Sequence, residues 1–282
     1  MSAPVLRRAV SPPGPGDLSE IAAIVEAEAG ITIAESKSSM IQSRLAGRLR
    51  SLGLPDYRAY IDLVTSAEGA GERLQMVSAL TTNVSHFFRE SHHFDLLRSD
   101  ILPPLVDRAR RGGRVRIWSA GCSRGQEAYS IAMTILELLP DAGERDIRIL
   151  ASDIDRAVLA DADRAEYDEA SVSQVQPELR GRYFESAGEG WKVTPRVRGL
   201  VTFRELNLHA DWPMAGRFDA IFCRNVVIYF SQSRQTALWP RFIRALATGG
   251  WLIVGHSERI PAGLGVIQAG VTVYRRSTDR NA

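Results

Sequence analysis

The sequence predicts an α/β protein in which a small all-helical N-terminal domain precedes a doubly wound, mostly parallel sheet. Three observations carry that reading. Residues 17 to about 108 place their apolar side chains at helical spacing and contain no strand-type run. Beyond Arg110-Arg-Gly-Gly113, short apolar runs alternate with helical stretches, the pattern of parallel strands joined by crossover helices. The interval from Asp153 to Val201 is longer than one helix requires, and its glycines and aromatics suit a small inserted β-subdomain at about 168–204.

In chain order, residues 1–16 read as a disordered tail, because Pro12-Pro-Gly-Pro-Gly16 sustains neither helix nor sheet. The helical domain then spans 17–108. Asp17 with Glu20 resembles a capping box ahead of Ile21, Ile24 and Val25. Ile41, Leu45, Leu49 and Leu52 form the stripe of a second helix over Ser39–Leu52, stopped by Gly53 and Pro55. A third helix is expected through Tyr57–Val64, a fourth through Leu74–Leu80, and a fifth through Phe94–Ile101, broken at Pro103-Pro104. The second domain, 109–282, offers strands at Val115–Ala120, Ile147–Ser152, Val201–Glu205, Ala220–Cys223 and Trp251–Gly255. Helices over Glu127–Leu139, Ala157–Ala165 and Ser233–Ala247 separate most of them. Val271–Arg276 follows a turn and should add an antiparallel strand. Tyr183-Phe184 and Trp191-Lys-Val193, around Gly188 and Gly190, should pair as the inserted hairpin. The acids Asp161, Asp163, Glu166, Asp168 and Glu169 read as a solvated helix face.

The bulk numbers exclude several classes. A net charge of +2 on 282 residues is too small to argue for a nucleic-acid partner. Only Lys37 and Lys192 are lysines, so the cations are nearly all arginine. No apolar run approaches the roughly 18 residues of a membrane span, and Met1–Val10 lacks the apolar stretch of a signal peptide. Cys122 and Cys223 have no metal-ligand spacing and suit a reduced cytoplasmic interior. The five histidines pair with no Ser or Cys nucleophile, so neither a metal centre nor a catalytic triad is expected.

The most informative stretch is Val115 to Glu127. It reads as a buried strand, a turn punctuated by Gly121 and Gly125, and a helix that opens with an acid. Such a turn lets the backbone approach a ligand at the end of a parallel strand. No Lys-Ser/Thr follows the second glycine, which argues against a triphosphate cradle, and the spacing is not the dinucleotide fingerprint. Glu127 stands where a pyrophosphate would want no negative charge. A ligand with ammonium or sulfonium charge fits better, and S-adenosylmethionine carries both. Asp153, closing the second strand, is placed to accept both ribose hydroxyls of a nucleoside, a role that NAD would fill equally well.

Thr81-Thr-Asn-Val-Ser-His-Phe-Phe-Arg-Glu90, the Trp118–Tyr129 turn, Ser152-Asp-Ile-Asp155, Phe218-Asp-Ala-Ile-Phe-Cys-Arg-Asn-Val-Val-Ile-Tyr-Phe230 and Gly255-His-Ser-Glu258 run through most of the chain. In these five segments the sequence resembles the CheR family, the chemoreceptor glutamate methyltransferases. The resemblance implies a class I, Rossmann-like S-adenosylmethionine-dependent methyltransferase. It would transfer a methyl group to glutamate carboxylates of methyl-accepting receptors, giving methyl esters and S-adenosylhomocysteine for chemosensory adaptation. It further implies a cytoplasmic protein recruited to membrane receptor arrays, binding the receptor's helical bundle, and we expect a monomer with no metal. Relatives carry a β-subdomain at the inserted position, and some grip a receptor tail with it; the short turn here does not favour that use.

By the same resemblance, Glu127 touches the methionine moiety, and Asn83, Ser85 and Arg89 contact the cofactor or the incoming carboxylate. Ser85 stands where the family often has Thr. Arg224 and Asn225 lie at the cofactor, Tyr229 near the transferring methyl, and Asn207 and Leu208 frame the adenine. From the residues alone, Thr81–Glu90 is equally a capped helix boundary and Leu208 equally plain core. The chemistry needs no general base, because a glutamate with a pKa of about 4.3 is already ionised at neutral pH. What remains is to align the reacting atoms and exclude water. Lys37, Arg44 and Arg48 share one arc of the second helix, either as plain surface cations or as a strip that docks on acidic receptor helices. The alternatives are a methyltransferase with another acceptor and a non-catalytic cofactor-binding regulator; the absence of Asn/Asp-Pro-Pro-Tyr after the fourth strand argues against amino methylation of nucleic acid.

Overall fold

The computed structural model describes residues 10–81 and 83–277. They divide into two units, one built from the residues before Asn83 together with Tyr229–Ser231, the other from the rest. In the first, α1 (Asp17–Ala29), α2 (Ser38–Leu52), α3 (Tyr57–Thr65) and α4 (Ala70–Leu80) turn their apolar stripes inward. Ile21, Val25, Ile41, Leu45, Leu49, Tyr60, Ile61 and Val64 close on one another as a single core. Full burial of each such side chain stabilises by roughly 1.5–3 kcal/mol. The capping box does not form. Gly16 occupies the cap with φ 87°, and Asp17 instead accepts the Gly14 N–H at 2.7 Å. Residues 1–9 of the expected tail lie outside the described residues. The remainder of it is corrected: Ser11 donates to the Pro55 carbonyl at 3.0 Å and Val10 packs on the core.

Residues 83–110 are helical in part but belong to the second unit, which corrects the expected domain boundary at 108. Phe94, Leu97, Ile101 and Val106 enter the core beneath the sheet, and sequence periodicity reports burial without naming what does the burying. Pro103-Pro104 does not break this segment. α5 (His92–Leu96) passes through a π turn at Leu97–Ile101 into α6 (Leu102–Arg110), and this wider turn lies directly ahead of the two prolines, which have no N–H to donate back into it.

The sheet contains β1 (Val115–Ala120), β2 (Ile147–Asp153), β6 (Val201–Glu205), β7 (Phe218–Cys223), β8 (Leu246–Val254), β9 (Val266–Gly270) and β10 (Val273–Arg276), in the order β6-β2-β1-β7-β8-β10-β9. The first five are mutually parallel; β10 pairs antiparallel with β8, and β9 antiparallel with β10. The order reverses direction between β1 and β7, so the crevice at their carboxyl ends is the switch point where open α/β sheets bind ligands. This is the doubly wound, mostly parallel arrangement expected from the sequence. α7 (Gln126–Leu138), α8 (Arg156–Arg164) and α12 (Gln232–Ala245) are the crossover helices. β9 is absent from the sequence expectation because this edge strand buries none of its residues and shows no apolar alternation. α12 ends two residues early and gives way directly to β8.

The inserted region forms its own sheet from β3 (Glu166–Tyr167), β4 (Phe184–Ala187) and β5 (Gly190–Val193), in the order β3-β5-β4. The short helices α9 (Glu169–Val172), α10 (Pro177–Tyr183) and α11 (Pro195–Arg198) flank it. The solvated acidic face is corrected here. Glu166 lies on a strand and pairs with Lys192 at 2.8 Å, and Asp168 caps α9 by accepting the Ser171 N–H at 2.7 Å.

Candidate active site

The turn after β1 is held open by left-handed residues: Gly121 at φ 80°, Ser123 at 51° and Gly125 at 89°. A Cβ on Gly121 would stand 2.3 Å from Val226 Cγ2, so only glycine lets the segment after β7 lie against this turn. Ser123 donates its N–H to Asp153 Oδ2 at 2.8 Å and its hydroxyl to the Asn83 carbonyl at 3.1 Å. Asn83 in turn donates to Asp155 Oδ2 at 3.0 Å. The cap of α8 is Asp155, whose Oδ1 accepts the Ala157 N–H at 2.8 Å. Asp153 is therefore free of capping, and it accepts the Asp155 N–H at 3.1 Å on its other oxygen. Burial raises the Asp153 pKa above the ordinary carboxylate value against those amide bonds.

A second group surrounds Glu127 in the first turn of α7. Its Oε1 accepts from Ser119 at 2.7 Å and its Oε2 from Arg224 Nη1 at 3.1 Å. Burial pushes this carboxyl up as well, with the Arg224 charge opposing the shift. Arg224 itself is 2 % exposed in its side chain. Its Nη2 donates to the Arg89 carbonyl and stands 3.5 Å from Glu90 Oε2, and its guanidinium lies 5.7 Å from the Phe94 ring centre. Burial would raise the Glu90 pKa, but Arg224 and a bond from His256 hold it at about 2. His93, fully buried, is lowered to about 4 by burial and then by the nearby Arg224 charge. Phe88 and Glu90, on either side of Arg89, adopt φ 53° and 55°, a strained conformation for such residues.

Two family models match this chain. One, described as "CheR methyltransferase, SAM binding domain", covers residues 83–270. The other, "CheR methyltransferase, all-alpha domain", covers 16–81. The chain belongs to the CheR methyltransferase family. A probable chemotaxis protein methyltransferase of Rhizobium etli is 48% identical over 261 residues, covering 90% of this chain and 97% of that one. The chemotaxis protein methyltransferase of Escherichia coli K12 is 42% identical over 244 residues, covering 84% of this chain and 82% of its own. Chemotaxis protein methyltransferase 2 of Pseudomonas aeruginosa is 42% identical over 252 residues, with 87% of each chain covered.

The CheR assignment makes S-adenosylmethionine the expected ligand of the crevice, and its residues fit that molecule chemically. Burial raises the pKa of both Asp153 and Glu127 against the bonds each already accepts. Hydroxyl donors at one and an ammonium at the other would add partners to these carboxylates. Asn207 and Leu208 follow β6, with the Asn207 Oδ1 accepting the His209 N–H at 2.8 Å. Leu208 is buried and its carbonyl accepts from Trp212 at 3.2 Å and Arg241 at 2.7 Å. Asn225, at φ 59°, donates from Nδ2 to Glu90 Oε1 at 3.4 Å. Ser85 is half-buried, and Arg89 donates to the Val84 carbonyl at 3.0 Å. Thus Asn83, Ser123 and Asp153 are joined in one chain of bonds, and Glu127, Arg224, Arg89 and Asn225 in another. Tyr229 is described with the helical unit, where its carbonyl accepts the Thr32 N–H at 2.8 Å.

Sequence reasoning missed Ser119, Ser123, Glu90 and Glu258 as members of this site. Glu90 and Glu258 each end a quoted motif, and that position was the available signal. Sequence spacing also does not point to the grouping of Glu90, His92 and His93, whose possible ligand atoms lie within 4.8 Å of one another. Arg224 already supplies Glu90 with a cation, which disfavours a second positive charge there. The expected docking arc is partly consumed inside the helical unit. Arg48 binds Glu72 through two bonds of 2.6 Å, and Arg44 donates to the Thr81 carbonyl at 2.6 Å. Lys37 and Arg44 are exposed.

Proposed function

We propose that this CheR protein transfers a methyl group from S-adenosylmethionine to side-chain carboxylates of glutamates in the cytoplasmic helical bundle of chemoreceptors, releasing S-adenosylhomocysteine. The observation that carries the reading is the pair of half-buried acids, Glu127 and Asp153, on either side of the Gly121–Gly125 turn at the sheet's switch point. When bound, the cofactor supplies an electrophilic methyl on a sulfonium. The chain's own task is to bind and orient. Asp153 keeps acceptor capacity for ribose hydroxyls after accepting from Ser123 and Asp155. Glu127, steered by Ser119 and Arg224, faces the amino-acid end of the cofactor. Asn83, Ser85, Asn207, Leu208 and Asn225 complete the pocket, and Arg224 acts by holding Glu127 and Glu90 in place.

Arg89 and Tyr229 are the residues proposed to face the reacting carboxylate and methyl, on the resemblance of their two motifs to the family. No general base is required of the protein, since the acceptor glutamate is ionised at neutral pH. Lys37 and Arg44 are the proposed docking cations for acidic receptor helices. The relatives' names as chemotaxis methyltransferases support a receptor as acceptor. The deciding experiment incubates the protein with methyl-labelled cofactor and receptor-containing membranes, then treats the receptor band with mild alkali. Carboxyl methyl esters release methanol under that treatment. Label that stays on the protein, or none at all, would reject glutamate esterification.

A further inference from the structure

Glu258 is 2 % exposed and follows β8 by four residues. Its Oε2 accepts the N–H groups of Asn225 at 2.9 Å and Gly255 at 2.6 Å. Its Oε1 accepts those of Val226 and Val227, each at 2.9 Å. A carboxylate offers about four acceptor positions, and here each is met by a main-chain donor. Three of the donors are consecutive amides of the segment that leaves β7. Successive N–H groups converge on one anion only when the backbone curls, and Asn225 supplies the curl with its left-handed φ of 59°.

Two neighbours show that the curl is built in. A Cβ on Gly255 would stand 2.5 Å from Asn225 Nδ2 and 2.8 Å from its nitrogen, so glycine is required for the clamp to close. Glu90 takes the Asn225 side chain while Glu258 takes its main chain. The same amides fix Val226, which covers Gly121. We propose that Glu258 is a positioning residue, touching no ligand, whose carboxylate fixes the main chain of Asn225–Val227 and so pre-aims Arg224 and Asn225 into the methyl-donor crevice. This rests on the reading that Asn225 contacts the cofactor. A segment already ordered in the free protein loses less freedom when the ligand arrives, so the clamp acts on affinity.

The test uses the full chain with S-adenosylhomocysteine as probe, measured by calorimetry, alongside KM and kcat for S-adenosylmethionine. Glu258→Gln keeps one acceptor oxygen and sets an NH2 against two N–H donors. Loss of hydrogen bonds to a charged group predicts at least about tenfold weaker binding and a KM raised more than kcat is lowered. Glu258→Asp, which keeps the charge, should recover part of the affinity. Asn225→Gly, which tolerates the positive φ, should also weaken binding. Parent affinity in Glu258→Gln beside weakened binding in Asn225→Gly would overturn the clamp and leave the site reading intact. Parent affinity in both would overturn the site reading and the clamp with it. If Glu258→Gln does not fold, hydrogen exchange on the parent decides: the amides of residues 225–227 should exchange slowly before ligand is added, and exchange as fast as an open loop would overturn the proposal.

Discussion

Arg224 Nη1 lies 3.1 Å from Glu127 Oε2, and the same guanidinium stands 3.5 Å from Glu90 Oε2. One buried cation thus serves two acids, with 11% and 12% of their side chains exposed. Removing one partner of a buried pair costs about 3–5 kcal/mol, because the remaining charge is left unmet. Arg224→Met should therefore lower stability by about that amount in chemical denaturation. Arg224→Lys should lose less stability, but a point charge cannot hold Glu127 and the Arg89 carbonyl together as a planar fork does, so S-adenosylhomocysteine affinity should still fall. Parent stability in Arg224→Met would show that this network contributes nothing.

Asp153 gives the opposite pattern. Burial raises its pKa, so the folded state disfavours its charge and gains nothing in stability from ionising it. Asp153→Asn relieves that buried charge but sets an NH2 against the N–H of Ser123 or Asp155, so the two effects oppose and the melting temperature should change only slightly. Binding should suffer instead: losing charge-assisted bonds to two ribose hydroxyls predicts a loss of about 1.5–3 kcal/mol, roughly ten- to 150-fold in the S-adenosylhomocysteine Kd. Unchanged affinity by calorimetry would remove Asp153 from the pocket.

The pH dependence of stability separates two buried groups. The folded pKa of His93, about 4 against an ordinary 6.5, is depressed, so its contribution is fully present above 6.5 and is lost as pH falls toward 4. Glu90, about 2 against an ordinary 4.5, is also depressed, and its contribution is lost from about 4.5 downward. Urea midpoints should begin to fall below pH 6.5 in the parent. In His93→Gln the decline over that range should be shallower but not absent, because burial also lowers His209 to about 4. Identical profiles would mean that His93 is not buried in its neutral form. Between pH 6.5 and 8 neither group changes charge, and the methylation rate should be nearly flat there.

Much of the fold is legible in the sequence because its physics is local. Val115–Ala120 and Val201–Glu205 are read to the residue, since each short apolar run is bounded by turn residues. The stripe of α2 is read for Ile41, Leu45 and Leu49, which are buried, but not for Leu52, which is 41% exposed at the helix end. What escapes is anything that depends on the partner. The helices after Asn83 show a buried face, but only the structure says that the sheet buries it. The same holds in the site. Gly121, Glu127 and Asp153 are visible because glycine spacing and strand ends fix their places. The role of Glu258 is not legible beyond its place in a motif, because it binds main-chain amides, which leave no side-chain signature, and three of its donors lie 33, 32 and 31 positions away. Glu90 meets Asn225 across 135 positions.

The cations expected as one arc of α2 divide into two kinds, since Lys37 precedes the helix as its cap residue and only Arg44 and Arg48 lie on it, and the division can be measured. Arg48 forms a bidentate pair with Glu72, which also accepts from Tyr60 at 2.8 Å. Arg48→Glu would set two acids together at a site where Glu72 is 11% exposed, so it should unfold the helical domain at lower denaturant, by about 1–3 kcal/mol. Reversing the pair with Glu72→Arg in the same chain should restore part of the loss. Lys37→Glu removes an exposed charge with no resolved role inside the domain, so stability and S-adenosylhomocysteine affinity should stay at parent values. If the arc docks on acidic receptor helices, the same variant should slow receptor methylation, most strongly at low salt, because an interfacial charge of this kind acts through encounter. Equal rates for Lys37→Glu and the parent at low salt would end the docking role of this face.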